Sequence, residues 1–155
     1  MQISSHNRSG HHDRQLDPKG RFSLLVDWRP PNGESVYFIK VEVEGIPALR
    51  VFTQTAFDRK LADIEASQDA TPAQRDRARG ILYGAAIDSK VNDQGKLTIP
   101  KALAESHGLT LPGAVRLVGR GELFEIFTPE NGDAIRALEE TARAKDPVIS
   151  NLLGF

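Results

Sequence analysis

Near its start the chain carries Asp17-Pro18-Lys19-Gly20-Arg21-Phe22-Ser23-Leu24-Leu25. It repeats the pattern as Asn92-Asp93-Gln94-Gly95-Lys96-Leu97-Thr98-Ile99-Pro100, so that Gly95 answers Gly20 and sets the offset of the repeat. The same offset relates Val51-Phe52-Thr53 to Ile126-Phe127-Thr128. A register held from a turn motif through a later apolar segment implies two copies of one small folding unit, and hence two copies of the surface that unit presents.

The chain's 155 residues suffice for one domain with a core, or for two small units sharing one. No apolar run approaches bilayer length, and no apolar segment follows a basic start, so a cytoplasmic protein is expected. The lack of cysteine excludes disulfides, thiolate nucleophiles and cysteine zinc sites. Net charge is −1, but positive charge concentrates at the repeated motif. Residues 1–30 hold five Lys/Arg against three Asp/Glu, and residues 75–101 hold six against three, while the remaining segments are acidic. A local basic patch on such a chain can hold a polyanion, while the acidic remainder limits unspecific adhesion.

Residues 1–15 are polar and read as a flexible arm. Residues 17–20 form a tight turn, Phe22–Leu24 a strand leaving it, and Val26–Arg29 a single helical turn stopped by Pro30-Pro31. Val36–Val43 reads as a strand, Glu44–Pro47 as a break and Ala48–Thr53 as the hairpin partner. A helix over Ala56–Ala66 places Phe57, Leu61 and Ile64 on one face, and a second begins at Thr71-Pro72. The second copy follows suit: strands over Ala85–Val91 and Gly95–Ile99, a short helix over Lys101–His107, and a hairpin of Ala114–Val118 with Leu123–Phe127. A last helix starts at Thr128-Pro129, carries Ile135 and Leu138 and runs to about Arg143, before an apolar tail, Val148–Phe155. The helix residues Phe57, Leu61, Ile64, Ile135 and Leu138 serve core or subunit contacts. Four short strands cannot bury both faces alone. Two copies can, by interleaving their hairpins. The expected class is therefore α+β, with two tandem swapped-hairpin units forming one pseudo-two-fold β-barrel and helices flanking it.

The paired turns, Asp17–Arg21 and Asn92–Lys96, resemble the two DXXXR motifs of the MraZ family, bacterial transcriptional regulators built from tandem SpoVT-AbrB domains of the double-split barrel type. Arg79–Ala86, Ile99–Leu109 and Leu117–Phe127 resemble further family segments in the same order. The sequence departs from the family pattern at Leu25, where Pro100 shows the usual proline, and at Asn92 and Lys96. On this resemblance, 11–53 is the first SpoVT-AbrB domain, 54–84 a helical connector, 85–128 the second domain and 129–155 a C-terminal helix and tail.

The resemblance implies that the two loops contact double-stranded DNA. Carried over, the contacting residues are Lys19 and Arg21 in the first loop and Gln94 and Lys96 in the second, with Arg14 and Lys101 flanking. Arginine can bond guanine O6 and N7 together, glutamine can do the same for adenine, and lysine suits phosphate. Gly20 and Gly95 would allow a sharp turn and close approach to phosphates. Asp17 would orient Arg21 or cap the turn, and Asn92 would do that job without charge. One chain offers few contacts, so a ring-shaped homo-oligomer facing promoter repeats is implied, associated with the nucleoid. The implied target is the promoter of the division and cell-wall gene cluster, including the chain's own gene.

Enzymatic activity is not expected. His6, His11, His12 and Asp13 lack metal-site spacing, no nucleophile elbow is present, and Gly119-Arg120-Gly121 lacks the third glycine of a dinucleotide fingerprint. No cofactor and no metal follow from these motifs. The alternative is an AbrB-like antitoxin, or an interaction or scaffold barrel without DNA binding.

Overall fold

The computed structural model describes residues 7–155; His6 and the rest of the expected arm before Asn7 lie outside them. The described part of that arm is not loose. His11–Leu16 forms strand β1, and Arg8, itself buried, bridges to Gly121 ahead of it. Only Leu16 of β1 is fully buried, so the strand shows no apolar alternation in sequence.

Strand β2 (Arg21–Ser23) leaves the first turn, and a single 3-10 turn at Val26–Trp28 leads to the hairpin β3 (Ser35–Val43) and β4 (Ile46–Thr53). Glu44 and Gly45 turn this hairpin with φ of 51° and 81°. The turn needs only those two residues, and the expected break over Glu44–Pro47 is shorter, with Pro47 inside β4 opposite Glu42. Helices α1 (Gln54–Ala66) and α2 (Pro72–Ala85) follow, capped by the hydroxyls of Thr53 and Thr71. The second half has β5 (Ile87–Lys90), β6 (Lys96–Thr98), α3 (Lys101–Ser106), β7 (Gly113–Gly119), β8 (Leu123–Phe127) and α4 (Pro129–Lys145). The tail after α4 is a further helix, α5 (Pro147–Leu153), because the Asp146 carboxylate caps the N–H groups of Val148 and Ile149 and Pro147 starts it.

The strands form an antiparallel sheet ordered β1-β7-β8-β4-β3-β5 and a separate ribbon of β2 with β6. The sheet order reads the same from both ends once β1 is exchanged with β5, β7 with β3 and β8 with β4. In the ribbon Phe22 lies opposite Leu97, and where β4 meets β8 Arg50 lies opposite Glu125. Both pairs join positions related by the offset of the repeat, so equivalent residues of the two copies face each other. The first half's β1 pairs with the second half's β7, and β5 with β3. Each half thus depends on the other for its sheet edges.

Between sheet and ribbon lies the main core, with Phe22, Leu24, Leu97 and Ile99 packed among Phe38, Leu49, Leu117 and Phe124. Burying Phe22 and Leu97, both essentially inaccessible, anchors the ribbon by about 2 kcal/mol each. Helix α1 packs through Phe57, stacked on Tyr37 at 4.4 Å, and α4 through Ile135 against Ala48, Val118 and Phe127. Of the apolar helix residues, Phe57 and Ile135 are buried, Leu61 and Ile64 half-buried and Leu138 39% exposed. No helix of the described residues is long and apolar enough to cross a membrane.

Candidate nucleic-acid interface

The two motif turns are built from the same bonds. In the first, the Gly20 N–H donates to the Asp17 carbonyl at 2.9 Å, and the Asp17 N–H to the Arg21 carbonyl at 2.9 Å. Asp17 Oδ1 accepts from the Lys19 and Arg21 N–H groups at 2.9 and 2.8 Å. In the second, Gly95 N–H donates to the Asn92 carbonyl and Asn92 N–H to the Lys96 carbonyl, each at 2.9 Å. Asn92 Oδ1 accepts from the Gln94 and Lys96 N–H groups, both at 2.9 Å. Asn92 therefore does the turn work of Asp17 through one oxygen and without charge. Asp17 does more: its Oδ2 accepts from Arg21 Nε at 2.7 Å. The Arg21 N–H, the Arg21 guanidinium and the Lys19 N–H together hold the Asp17 carboxyl below its ordinary range.

Each turn feeds one strand of the ribbon. Arg21 lies opposite Thr98, and Ser23 opposite Lys96. Because successive side chains alternate, Phe22 and Leu97 point into the core and the other four share the outer face. Arg21 and Lys96 are offset by two residues along the ribbon, roughly 7 Å. Lys19 and Gln94 are exposed at the turns beside them.

The flanking residues fall at opposite ends. Arg14 Nε donates to the carbonyl of Ser23 at 3.0 Å, which places Arg14 at the Lys96 end. Lys101 follows the segment whose Ile99 N–H donates to the Gly20 carbonyl at 2.8 Å, which places it at the Arg21 end. There it is exposed and lies 4.0 Å from Glu105. The ribbon thus gathers five basic side chains: Lys19, Arg21 and Lys101 at one end, Arg14 and Lys96 at the other.

The glycines serve a different approach from the one expected. Both are buried, at φ of 82° and 76°, and they lie against the opposite copy rather than facing solvent where a phosphate would come. A Cβ at Gly20 would run into the Ile99 carbonyl oxygen, which is backbone and cannot yield. At Gly95 it would meet the Arg29 guanidinium, the end of a flexible side chain. Gly20→Ala should therefore cost about 3 kcal/mol, adding a backbone clash to left-handed strain, and Gly95→Ala only about 1–2 kcal/mol. Urea unfolding midpoints of the two variants check the difference, and equal losses would contradict it.

Sequence reading passed over Ser23 and Thr98, although the alternation of a strand leaving the turn already puts them beside Arg21 and Lys96. It also passed over the charges at the junction of the halves. Glu125, only 2% exposed, accepts at Oε2 from Arg50 Nε and Nη2 at 2.9 and 2.8 Å, and at Oε1 from Arg120 Nε at 2.8 Å. Arg120 continues to Glu139 at 2.9 Å. Among the described residues no group of three or more His, Asp or Glu side chains is arranged to hold a metal ion. His12 instead bonds the Ser9 carbonyl at 2.9 Å and packs edge-on against Trp28.

No protein-family model matches the chain. It is similar along most of its length to bacterial proteins named "Transcriptional regulator MraZ". That of Rickettsia bellii (strain OSU 85-389) is 24% identical over 147 residues, covering 90% of this chain and 93% of its own. That of Leuconostoc mesenteroides is 25% identical over 146 residues, covering 94% and 96%. That of Coxiella burnetii (strain Dugway 5J108-111) is 26% identical over 124 residues, covering 78% and 79%.

Proposed function

We propose that the chain, as a member of the MraZ family to which its similarity along most of its length points, is a transcriptional regulator that binds double-stranded promoter DNA through the outer face of the β2·β6 ribbon. One observation carries this reading. Two turns with the same hydrogen bonds sit at the ends of one ribbon, whose apolar side is buried and whose free side carries Arg21, Ser23, Lys96 and Thr98. The major groove admits a two-stranded ribbon, and these side-chain types pair with base edges and phosphates there. The first turn presents Arg21 for bases and Lys19 for phosphate. The second presents Lys96 for phosphate and Gln94 for adenine, with Arg14 and Lys101 adding positive charge at the ends. Asp17 and Asn92 shape the turns rather than touch DNA.

In this reading the two halves are SpoVT-AbrB units whose hairpins are swapped into one double-split barrel, and the facing equivalent pairs Phe22–Leu97 and Arg50–Glu125 mark its pseudo-two-fold axis. The ribbon is three residues per strand, too little for a strong specific interface from one chain. A ring-shaped homo-oligomer would set several ribbons against spaced repeats. The repeats would lie upstream of the division and cell-wall genes, the protein's own gene included, and the protein would work in the cytoplasm at the nucleoid.

The test is a footprint of the purified protein on DNA upstream of its own gene at moderate salt. Protection of two or more evenly spaced short repeats is the expected result. A protein that protects nothing there, and binds no DNA even at low salt, overturns the proposal.

A further inference from the structure

The two turns share their internal bonds but not their backing. The first is braced by the Asp17–Arg21 bond across it and lies against the Ile99 carbonyl. In the second the corresponding pair is Asn92 and Lys96, joined through the Lys96 backbone N–H. What lies against the second turn is Arg29. Its Nε and Nη2 both donate to the Leu24 carbonyl, at 3.0 and 2.9 Å, and Leu24 donates its own N–H to the Gly95 carbonyl at 3.0 Å. The guanidinium thus rests on the Gly95 backbone and also holds the residue that tethers Gly95. The residue that answers Arg29 in the second copy is Ala104, in α3, so this brace exists on one side only.

We infer that Arg29 is a positioning residue for the second turn: it fixes Gln94–Lys96 through Gly95 and Leu24 without touching DNA. The planar fork matters, because two of its nitrogens converge on one carbonyl while its face covers a glycine that has no side chain. A lysine keeps the charge but can do neither. Arg29 also walls a cleft with Glu34 and Asn92, so removing it leaves open space beside the turn.

The functional half of the test rests on the DNA-binding reading; the structural half does not. In the full chain, Arg29→Ala should speed amide hydrogen exchange at Gln94, Gly95 and Lys96 about tenfold or more and leave Lys19–Arg21 unchanged. Arg29→Lys should side with alanine, and serves alone if the alanine variant does not fold. On DNA the loss should be about three- to tenfold, and Arg29→Ala combined with Lys96→Ala should bind within about twofold of the weaker single variant, because both act through one turn. Unchanged exchange at 94–96, an equal rise in both turns, a lysine variant matching wild type or additive DNA effects would each overturn the inference. If wild-type protein binds no DNA, the DNA reading falls and the exchange data still decide the role of Arg29.

Discussion

On the proposed DNA-binding reading, Arg21→Ala should weaken binding to the DNA upstream of the protein's own gene by roughly 5–150-fold per ribbon, since an arginine–guanine pair carries about 1–3 kcal/mol. Folding should hardly change. The Arg21–Asp17 bond is a surface ion pair, with 42% and 27% of the two side chains exposed, and such pairs contribute about 0–1 kcal/mol. The turn itself survives, because Asp17 Oδ1 still receives the two backbone N–H groups. The bond uses Nε and leaves both terminal nitrogens, so Arg21 arrives oriented while a binding edge stays available. Lys96→Ala should act differently: a milder loss, together with a salt dependence shallower by about 0.9 in log–log slope for each phosphate contact removed. Fluorescence anisotropy across a salt series measures both. Wild-type affinity in Arg21→Ala would remove the first turn from the interface, and an unchanged slope in Lys96→Ala would remove the phosphate contact.

Among the charged residues, the largest loss of stability is expected for Glu125→Ala. The variant strands Arg50, leaves Arg120 with Glu139 alone and opens a carboxylate-sized gap between them. In full burial that would cost about 3–5 kcal/mol, but both arginines are about one-third exposed and can turn to water, so about 2–3 kcal/mol is expected. Arg50→Ala should cost less, because Arg120 continues to neutralise Glu125. Replacing Arg50 and Glu125 together by leucine should recover most of the loss, since a buried pair and an apolar pair of similar volume are often near-equal. Thermal or urea unfolding of the four proteins decides it. A neutral Glu125→Ala would mean that the carboxylate is not the hub of the network.

What sequence could and could not show follows from which signals are local. Turn chemistry is local: Asp17 and Asn92, each three residues before a glycine, announce both turns, and Thr53, Thr71 and Thr128 announce their helices. Asp146-Pro147 carries the same signature, but it also suits the end of the helix before it, so the sequence reads there only as an apolar tail. Strand β1 is harder, since an edge strand with one buried residue has no alternation to read. The repeat itself holds the missing signal: at its offset 11–16 corresponds to 86–91, which does read as a strand. The outer face of the ribbon was legible once its period was applied. The Arg50–Glu125 contact and the Arg29 brace were not, because each depends on which strand of the other half comes alongside.

The Arg50–Glu125 contact also bears on which partner each half selects. A unit that assembled with an identical twin would meet itself at this point, arginine against arginine or glutamate against glutamate, and like charges brought together there cost affinity. With opposite charges, each half is matched to the other half of its chain better than to a second copy of itself. On one chain the tethered partner is always present, so the two halves can carry unlike charges at one point and unlike turns at the ends of one ribbon.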